Sequence, residues 1–211
     1  MRVDVIDAAI AFGPVPVFSG LTATFEPARV TALVGPSGSG KSSLLAAVAG
    51  YQRLATGRIE LHGPDGSARP PSPGVVAWVP QGSNALGRRS VLDNVLVAPL
   101  AAGRPRREAR ETARAALDQV GLADREGDQA RRLSGGELQR VALARALASG
   151  KELILADEPS ANLDAANTEL VARILAALVS HATIVVATHD PTLVAAADAT
   201  VPLRPQAVVR A

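Results

Sequence analysis

The chain predicts an α/β domain on a mainly parallel sheet, and three observations carry that expectation. Short apolar strands alternate with helix-length segments through much of the sequence, the pattern of parallel strands covered by helices on both faces. One such strand, 29–34, runs directly into a glycine-rich loop and then a helix. The stretch 82–135 differs in character, with many arginines and few β-branched runs, and reads as a helical lobe inserted into the core.

The elements follow in order. Residues 2–34 are β-rich: Val3, Val5, Val15, Val17, Leu21 and Phe25 alternate with polar or small residues, broken at Gly13-Pro14 and Ser19-Gly20. A helix over 42–50 ends at glycine. Two further short strands within 58–79 flank a Gly/Pro-rich loop at 62–74. The lobe holds helices over 91–101 and 106–120. Core character returns with a helix at about 136–148, a strand over 152–156 and a helix at about 165–179. Leu163, Leu170, Ile174 and Leu178 line one face of that last segment. A strand over 183–188 and a short helix after Pro191 complete the pattern.

Length and composition bound the rest. The 211 residues suit one domain, 1–211, with core segments 1–81 and 136–211 and the lobe at about 82–135. At 47% hydrophobic and 20% charged residues, disorder as the main state is excluded. The absence of cysteine excludes a disulfide framework, a cysteine zinc site, an iron–sulfur cluster and a thiol nucleophile. The three histidines, His62, His181 and His189, are too scattered for a histidine-rich metal site. Net charge is only +2, and the pI of 9.6 reflects how few groups titrate between pH 7 and 9. No dense lysine and aromatic patch marks a nucleic-acid footprint, so no nucleic acid is expected as partner. Apolar runs are strand-sized, far short of the ~20 residues that span a bilayer. The first residues carry Asp4 and Asp7 and no apolar stretch of signal length. The expectation is a soluble, cytoplasmic protein whose membrane work, if any, needs another chain.

Three motifs carry chemistry. In Gly35-Pro36-Ser37-Gly38-Ser39-Gly40-Lys41-Ser42, glycines let the backbone curl so that N–H groups converge on phosphate oxygens. The helix that begins there adds its positive dipole end. Lys41 offers a point charge to the β- and γ-phosphates, and Ser42 a hydroxyl for Mg²⁺. Lys41 is one of only two lysines. By itself this motif indicates a nucleoside triphosphate.

The second motif is the apolar strand Leu153-Ile154-Leu155-Ala156 ending in Asp157-Glu158. Asp157 suits the water shell of Mg²⁺, and Glu158 suits activation of an attacking water. Alone, such a pair fits a buried strand entering an acidic turn about equally well; the upstream phosphate loop favours function. The third is Leu133-Ser134-Gly135-Gly136-Glu137-Leu138-Gln139-Arg140. Ser134 and Glu137 form a Ser-x-x-Glu capping box that opens a helix. The paired glycines are not explained by capping, and a glycine-flanked helix start is a second anion site. Two phosphate-seeking helix ends in one chain suggest that two chains share each nucleotide.

With these residues in place the sequence resembles the nucleotide-binding subunit of ABC transporters over nearly its whole length. Residues 133–137 resemble the family signature, and Leu133 lies 24 residues before Asp157, a spacing typical of the family. Gln81, after Val79-Pro80, resembles the Q-loop glutamine, Ser160-Ala161-Asn162-Leu163-Asp164 the D-loop, and His189 the switch histidine. Phe12 stands where the family has an aromatic that stacks on adenine. His62 and His181 match no motif and read as surface, and Tyr51 and Trp78 as packing residues. Two departures stand out: Pro27-Ala28-Arg29 replaces a frequent Pro-Gly-Glu, and Ser43 a frequent threonine.

The resemblance implies the ABC-ATPase fold, with an N-terminal antiparallel β subdomain beside the parallel core and the inserted lobe. It implies ATP and Mg²⁺ as cofactors, and a head-to-tail dimer with a second copy or a paralogous ATPase. Lys41, Ser42, Gln81, Asp157 and His189 act from one side, with Ser42, Gln81 and Asp157 at the metal. Ser134, Gly135, Gly136 and Glu137 act from the other side, with Asp164 beside them, and Glu158 activates the water. The implied function is an ATP-binding and ATP-hydrolysing subunit that drives a separate membrane permease from the inner face of the cell membrane.

Asn84-Ala85-Leu86, Val91-Leu92-Asp93-Asn94-Val95 and Pro99-Leu100 resemble the lipoprotein-release and macrolide-exporter branch, which also holds the cell-division ATPase. Short amino-acid importer subunits look nearly the same at this level. The arginine run 104–114 reads as a solvated helix face. Arg88 and Arg89 sit where the lobe is expected to meet a permease. Two rivals stay open: a non-transport ABC ATPase regulating an extracytoplasmic process through a membrane partner, and a soluble ABC ATPase acting on nucleic acid.

Overall fold

The computed structural model describes residues 1–204. The last part of the expected core, 205–211, lies outside the described residues. β1 (Arg2–Phe12) turns at Gly13, φ +59°, into β2 (Val15–Phe25), pairing Phe12 with Val15, Ile10 with Phe18 and Val3 with Phe25. β3 (Val30–Val34) delivers the chain to the glycine loop and to α1 (Lys41–Val48). β4 (Thr56–His62) returns to pair antiparallel with β1, and the two-residue β5 (Ala68–Arg69) pairs with β4. The order β2-β1-β4-β5 is the expected antiparallel subdomain.

β6 (Val76–Val79) leads to Gln81 and the lobe. α2 (Val91–Ala101) starts at Ser90, whose hydroxyl accepts the Asp93 N–H. α3 (Arg106–Gln119) packs on α2 through buried Ala109, Ala113, Ala116 and Leu117, small residues at helical spacing that permit close approach. α4 (Gly135–Ala148) carries the predicted capping box and packs against both lobe helices as well as β6. Arg140 Nη1 on α4 donates to Val120 O and Gly121 O at 2.9 and 3.0 Å, closing the exposed carbonyl end of α3.

β7 (Leu153–Asp157), α5 (Ala165–Leu178), β8 (Thr183–Thr188), α6 (Pro191–Ala196) and β9 (Ala199–Pro202) follow. The core sheet runs β6-β7-β8-β3-β9 with every neighbouring pair parallel. β9 is absent from the sequence expectation. Its four residues are mostly exposed and end in proline, a composition suited to an edge strand and hard to tell from coil.

Alternation along the two central strands builds two cores. Leu153, Leu155, Val185 and Ala187 face α1 and the antiparallel sheet, meeting Leu44, Leu45, Val48, Val3, Ile10 and Phe25. Ile154, Ala156, Ile184 and Val186 face the other way, toward α4, α5 and, through α4, the lobe. Truncating Leu44, which is fully buried, to alanine costs about 2–5 kcal/mol. Leu170 and Leu163 pack at the margin of this second core, beside buried Ile174 and Leu178.

His62 departs from its surface reading: it is half-buried, with Nε2 3.1 Å from Asp4 Oδ2. Alternation in β4 gives no hint that an acid on the adjacent strand faces it. Tyr51 packs edge-on to Trp78 at 6.3 Å between ring centroids, as expected of packing residues, yet remains 66% exposed.

Candidate active site

Parallel strands present all their carboxyl ends along one edge, where the loops can converge. β3 ends at Val34 just before Gly35, β7 at Asp157, β8 at Thr188 just before His189, and β6 at Val79 two residues before Gln81. The cleft at this edge, about 660 Å³, is lined by Phe12 and Val17 from the antiparallel subdomain, 36–43 from the loop and α1, and Gln81, Glu158 and His189. Val17 is a lining residue that the sequence reading assigned only to a strand. Its alternation partner role hid it, and nothing local marks it as facing a ligand.

The loop is wound tightly. Ser39 N–H donates to Pro36 O at 3.2 Å, and Gly38 and Gly40 hold φ of +79° and +94°. A Cβ at Gly40 would stand 2.5 Å from Val17 Cγ1 and 2.9 Å from Phe18 Cδ1. Glycine is needed there for its dihedral and for the approach of β2. Ser39 is fully buried, with no hydrogen-bond partner for its Oγ among the described residues. Ser37 and Gly38 sit at the cleft wall, as does Ser43.

The reactive groups form one connected set. Lys41 Nζ donates to Gly35 O at 2.9 Å and Pro36 O at 3.4 Å, and lies 3.5 Å from Glu158 Oε1. The other Glu158 oxygen, Oε2, lies 2.9 Å from His189 Nδ1. Glu158 itself has φ +46°, an unusual region for a residue with a side chain. Ser42 Oγ donates to Asp157 Oδ1 at 3.0 Å. Burial pushes the Asp157 carboxyl up from its usual range; the Ser42 bond opposes this, Glu158 adds to it and Lys41 opposes it.

The expected second-side residues stand elsewhere. Ser134 and Gly135 are exposed, and 134–137 do not line the cleft. Ser134 Oγ accepts the Glu137 N–H at 3.3 Å, and Glu137 Oε2 accepts the Ser134 N–H at 2.8 Å. The Ser134 N–H, opposed by burial and helped by Arg125 and Arg140, holds the Glu137 carboxyl below its usual range. Asp164 caps α5 by accepting the Asn167 N–H at 2.8 Å, and the Asn167 side chain also donates to it. That side chain lies against Gly136, where a Cβ would be 2.5 Å from Asn167 Oδ1. Gly136 and Asp164 are therefore joined through Asn167, a residue no motif singled out. Phe12 is 56% exposed at the rim of the cleft.

A lysine, a serine and two acids converging on a strand–loop–helix phosphate cradle define a P-loop nucleoside triphosphatase. Residues 18–161 match the ABC transporter family model. The chain is 40% identical over 200 residues to the lipoprotein-releasing system ATP-binding protein LolD 2 of Caulobacter vibrioides, covering 91% of this chain and 88% of that protein. It is 46% identical over 155 residues to the aliphatic sulfonates import ATP-binding protein SsuB 2 of Streptomyces avermitilis, covering 74% and 56%. The fold matches that of cbiO1 from Clostridium perfringens with a TM-score of 0.86 at 24% identity, covering 97% of this chain and 86% of that one. The chain belongs to the ABC transporter family, and its activity is the binding and hydrolysis of ATP.

Proposed function

We propose that this chain is the ATPase subunit that powers a separate membrane permease, closing head to tail on a second copy or a paralogous subunit around ATP. One observation carries this reading: the cleft gathers Lys41, Ser42, Glu158, Gln81 and His189, while the second anion-seeking helix end, at Ser134, is exposed and outside it. A site built from both needs two chains. Phosphate oxygens entering the loop meet the N–H groups of 38–42 and Lys41. Phe12 stacks on the base at the rim. Ser134, Gly135 and Gly136 of the opposing subunit close on the γ-phosphate, with Glu137 holding Ser134 and Asp164 near the seam.

The donor set suits Mg²⁺, which would be held by Ser42, Asp157 and Gln81. Hydroxyl, carboxylate and amide oxygens are the hard ligands it prefers, and the Ser42–Asp157 pair is already assembled. When bound, the ion neutralises charge on the β- and γ-phosphates. Glu158 accepts the proton of the attacking water, and His189 fixes the Glu158 carboxylate and contacts the γ-phosphate. Catalysis is positioning plus charge neutralisation. Hydrolysis removes the joining ligand, and the halves part.

The division into a core of 1–81 and 136–211 and a lobe at about 82–135 gives this motion a lever. Beside Gln81, a groove of about 610 Å³ is lined by Ala46, Tyr51, Trp78, Pro80, Asn84 and Arg145. It adjoins the 82–90 segment and suits a cytoplasmic segment of the permease. No helix among the described residues is long and apolar enough to cross a membrane. This agrees with a peripheral position on the inner face of the membrane. The lipoprotein-release branch is favoured by the LolD 2 match over nearly the full length of both chains. The test is a pull-down from native membranes with tagged Glu158→Gln protein, ATP and Mg²⁺. A multi-span permease is expected; recovery of soluble partners or nucleic acid alone would overturn the transport reading.

A further inference from the structure

The end of α4 carries an electrostatic conflict. Glu137 puts a carboxylate within one helical turn of the site where, on the proposed function, a triphosphate of the opposing subunit must arrive. One carboxylate oxygen is occupied by the Ser134 N–H; the other, Oε1, accepts Arg125 Nη1 at 2.6 Å. Arg125 belongs to the lobe turn between α3 and α4, and its Nε also donates to Asp128 Oδ2. Ser134 Oγ accepts the Glu137 N–H in the capping box, and its own proton can turn either to the Glu137 carboxylate or outward to a phosphate oxygen. The helix end thus keeps its donor outward only while Glu137 is held back and neutralised.

We propose that Arg125 is a positioning residue of the shared nucleotide site: its guanidinium cancels the Glu137 charge and locks that carboxylate in the capping box, so that the α4 end can receive the partner subunit's nucleotide. The proposal rests on the reading in which Ser134 meets that nucleotide. Arg125 touches no substrate; it acts through Glu137. Its other possible role, pinning the lobe turn, is shared with groups that remain when it is removed. Arg114 grips Glu126 through two bonds of 2.8 Å, and the N–H groups of Val91 and Leu92 donate to Asp128 O and Glu126 O. The turn therefore keeps these anchors when Arg125 is removed.

The experiment is a double-mutant cycle on the full chain. Turnover is measured against ATP and protein concentration for wild type, Arg125→Ala, Glu137→Gln and the double variant. Fluorescent-nucleotide titration of dilute protein gives the affinity of the single-chain site. Arg125→Ala is expected to lose turnover about tenfold at low salt, with unchanged single-chain affinity, the loss shrinking as salt screens the exposed charge. In the Glu137→Gln background, where the amide keeps an acceptor for the Ser134 N–H but no charge, the same substitution is expected to cost less than about twofold. An equal loss in both backgrounds, or none in either, overturns the proposal. Ser134→Arg measured alongside separates the two levels: if it turns over normally the shared site falls and Arg125 with it, whereas a dead Ser134→Arg with an additive cycle overturns only the role of Arg125.

Discussion

Glu158 Oε2 lies 2.9 Å from His189 Nδ1, across the cleft between the ends of β7 and β8. With Lys41 Nζ 3.5 Å from the other oxygen, the carboxylate is held between two nitrogen groups in a backbone conformation that side chains rarely adopt. A group so constrained is placed to receive a proton at a fixed point. Glu158→Gln keeps the shape and removes the basicity. ATP binding is expected to persist, phosphate release to fall by about a hundredfold or more, and an ATP-dependent dimer to accumulate in size-exclusion chromatography. Hydrolysis at the wild-type rate would remove Glu158 as the base.

Ser134→Arg tests the shared site from the other chain. Ser134 lies outside the cleft of its own chain, so a bulky cation there leaves that cleft intact. Nucleotide affinity in dilute protein is expected to be unchanged, while turnover is lost. Mixing this variant with Glu158→Gln is expected to give no recovery beyond one competent site per dimer. Normal turnover by Ser134→Arg alone would count against a shared nucleotide.

Much of this site was legible because each motif states its own geometry. The glycines of 35–40 announce a curled backbone, and the Ser-x-x-Glu box announces the opening of α4, expected at about 136 and found at Gly135. The parallel core was legible for the same reason: apolar runs such as 153–156 have no solvent face. What stayed hidden depends on residues far apart in sequence. Val17 lines the cleft only because β2 packs on Gly40, 23 positions away in numbering. Arg125 reaches Glu137 only because α3 and α4 enclose the turn that carries it. β9 exists because β3 offers it an edge, with Asp198 Oδ2 accepting the Val30 N–H at 2.8 Å.

Gly40 is predicted to tolerate less than Gly38, although both hold positive φ. Alanine at Gly38 meets nothing within 4 Å and carries only the dihedral strain, about 1–2 kcal/mol. Alanine at Gly40 adds a clash with Val17 and Phe18, so either the loop opens or β2 moves. Gly40→Ala is expected to lose nucleotide affinity and thermal stability together, and Gly38→Ala to lose far less stability. Equal melting temperatures for the two would show that β2 does not press on the loop.

Asp4 is predicted to make stability depend on pH. It is nearly buried; burial raises its pKa, but bonds from Arg2 and from Thr24 Oγ1 at 2.8 Å, with the charges of Arg2 and His62, outweigh that and hold it below its usual range. A carboxyl whose pKa is lower in the folded state stabilises fully above its unfolded pKa, and that contribution is lost as pH falls through the folded one. Asp4→Asn is expected to cost about 1–3 kcal/mol at neutral pH in denaturant titrations. The gap from wild type is expected to narrow steadily as the solution is acidified below the ordinary carboxylate range. A constant gap would mean that the loss is one of shape and not of charge.

Asn94 links the chemistry to the lobe. It is fully buried on α2, where Oδ1 accepts the Leu86 N–H at 2.6 Å and Nδ2 donates to Leu86 O and Ser90 O at 3.2 and 2.8 Å. From the other side Arg145 Nη2 donates to Ser83 O at 2.8 Å and Nη1 to Asn84 O at 3.4 Å, with Asn84 held at φ +46°. The segment after Gln81 is thus clasped by α2 and α4 at once, and the prediction is that a movement of Gln81 passes to both helices. Asn94→Ala takes the acceptor from the Leu86 N–H, while Leu86 O and Ser90 O keep the backbone N–H groups of Arg89 and Asn94, so the cost is about 1–3 kcal/mol. Asn94→Asp keeps the acceptor but removes both donations, so it is expected to fail as well. Hydrogen exchange at Leu86 is expected to quicken in both variants while exchange in β7 and β8 stays slow, because the parallel core does not depend on this clasp. ATP affinity in dilute protein is expected to hold, and stimulation of turnover by the membrane partner to fall. If the partner stimulated both variants as fully as wild type, the clasp would be a brace for the lobe and not the route by which Gln81 moves it.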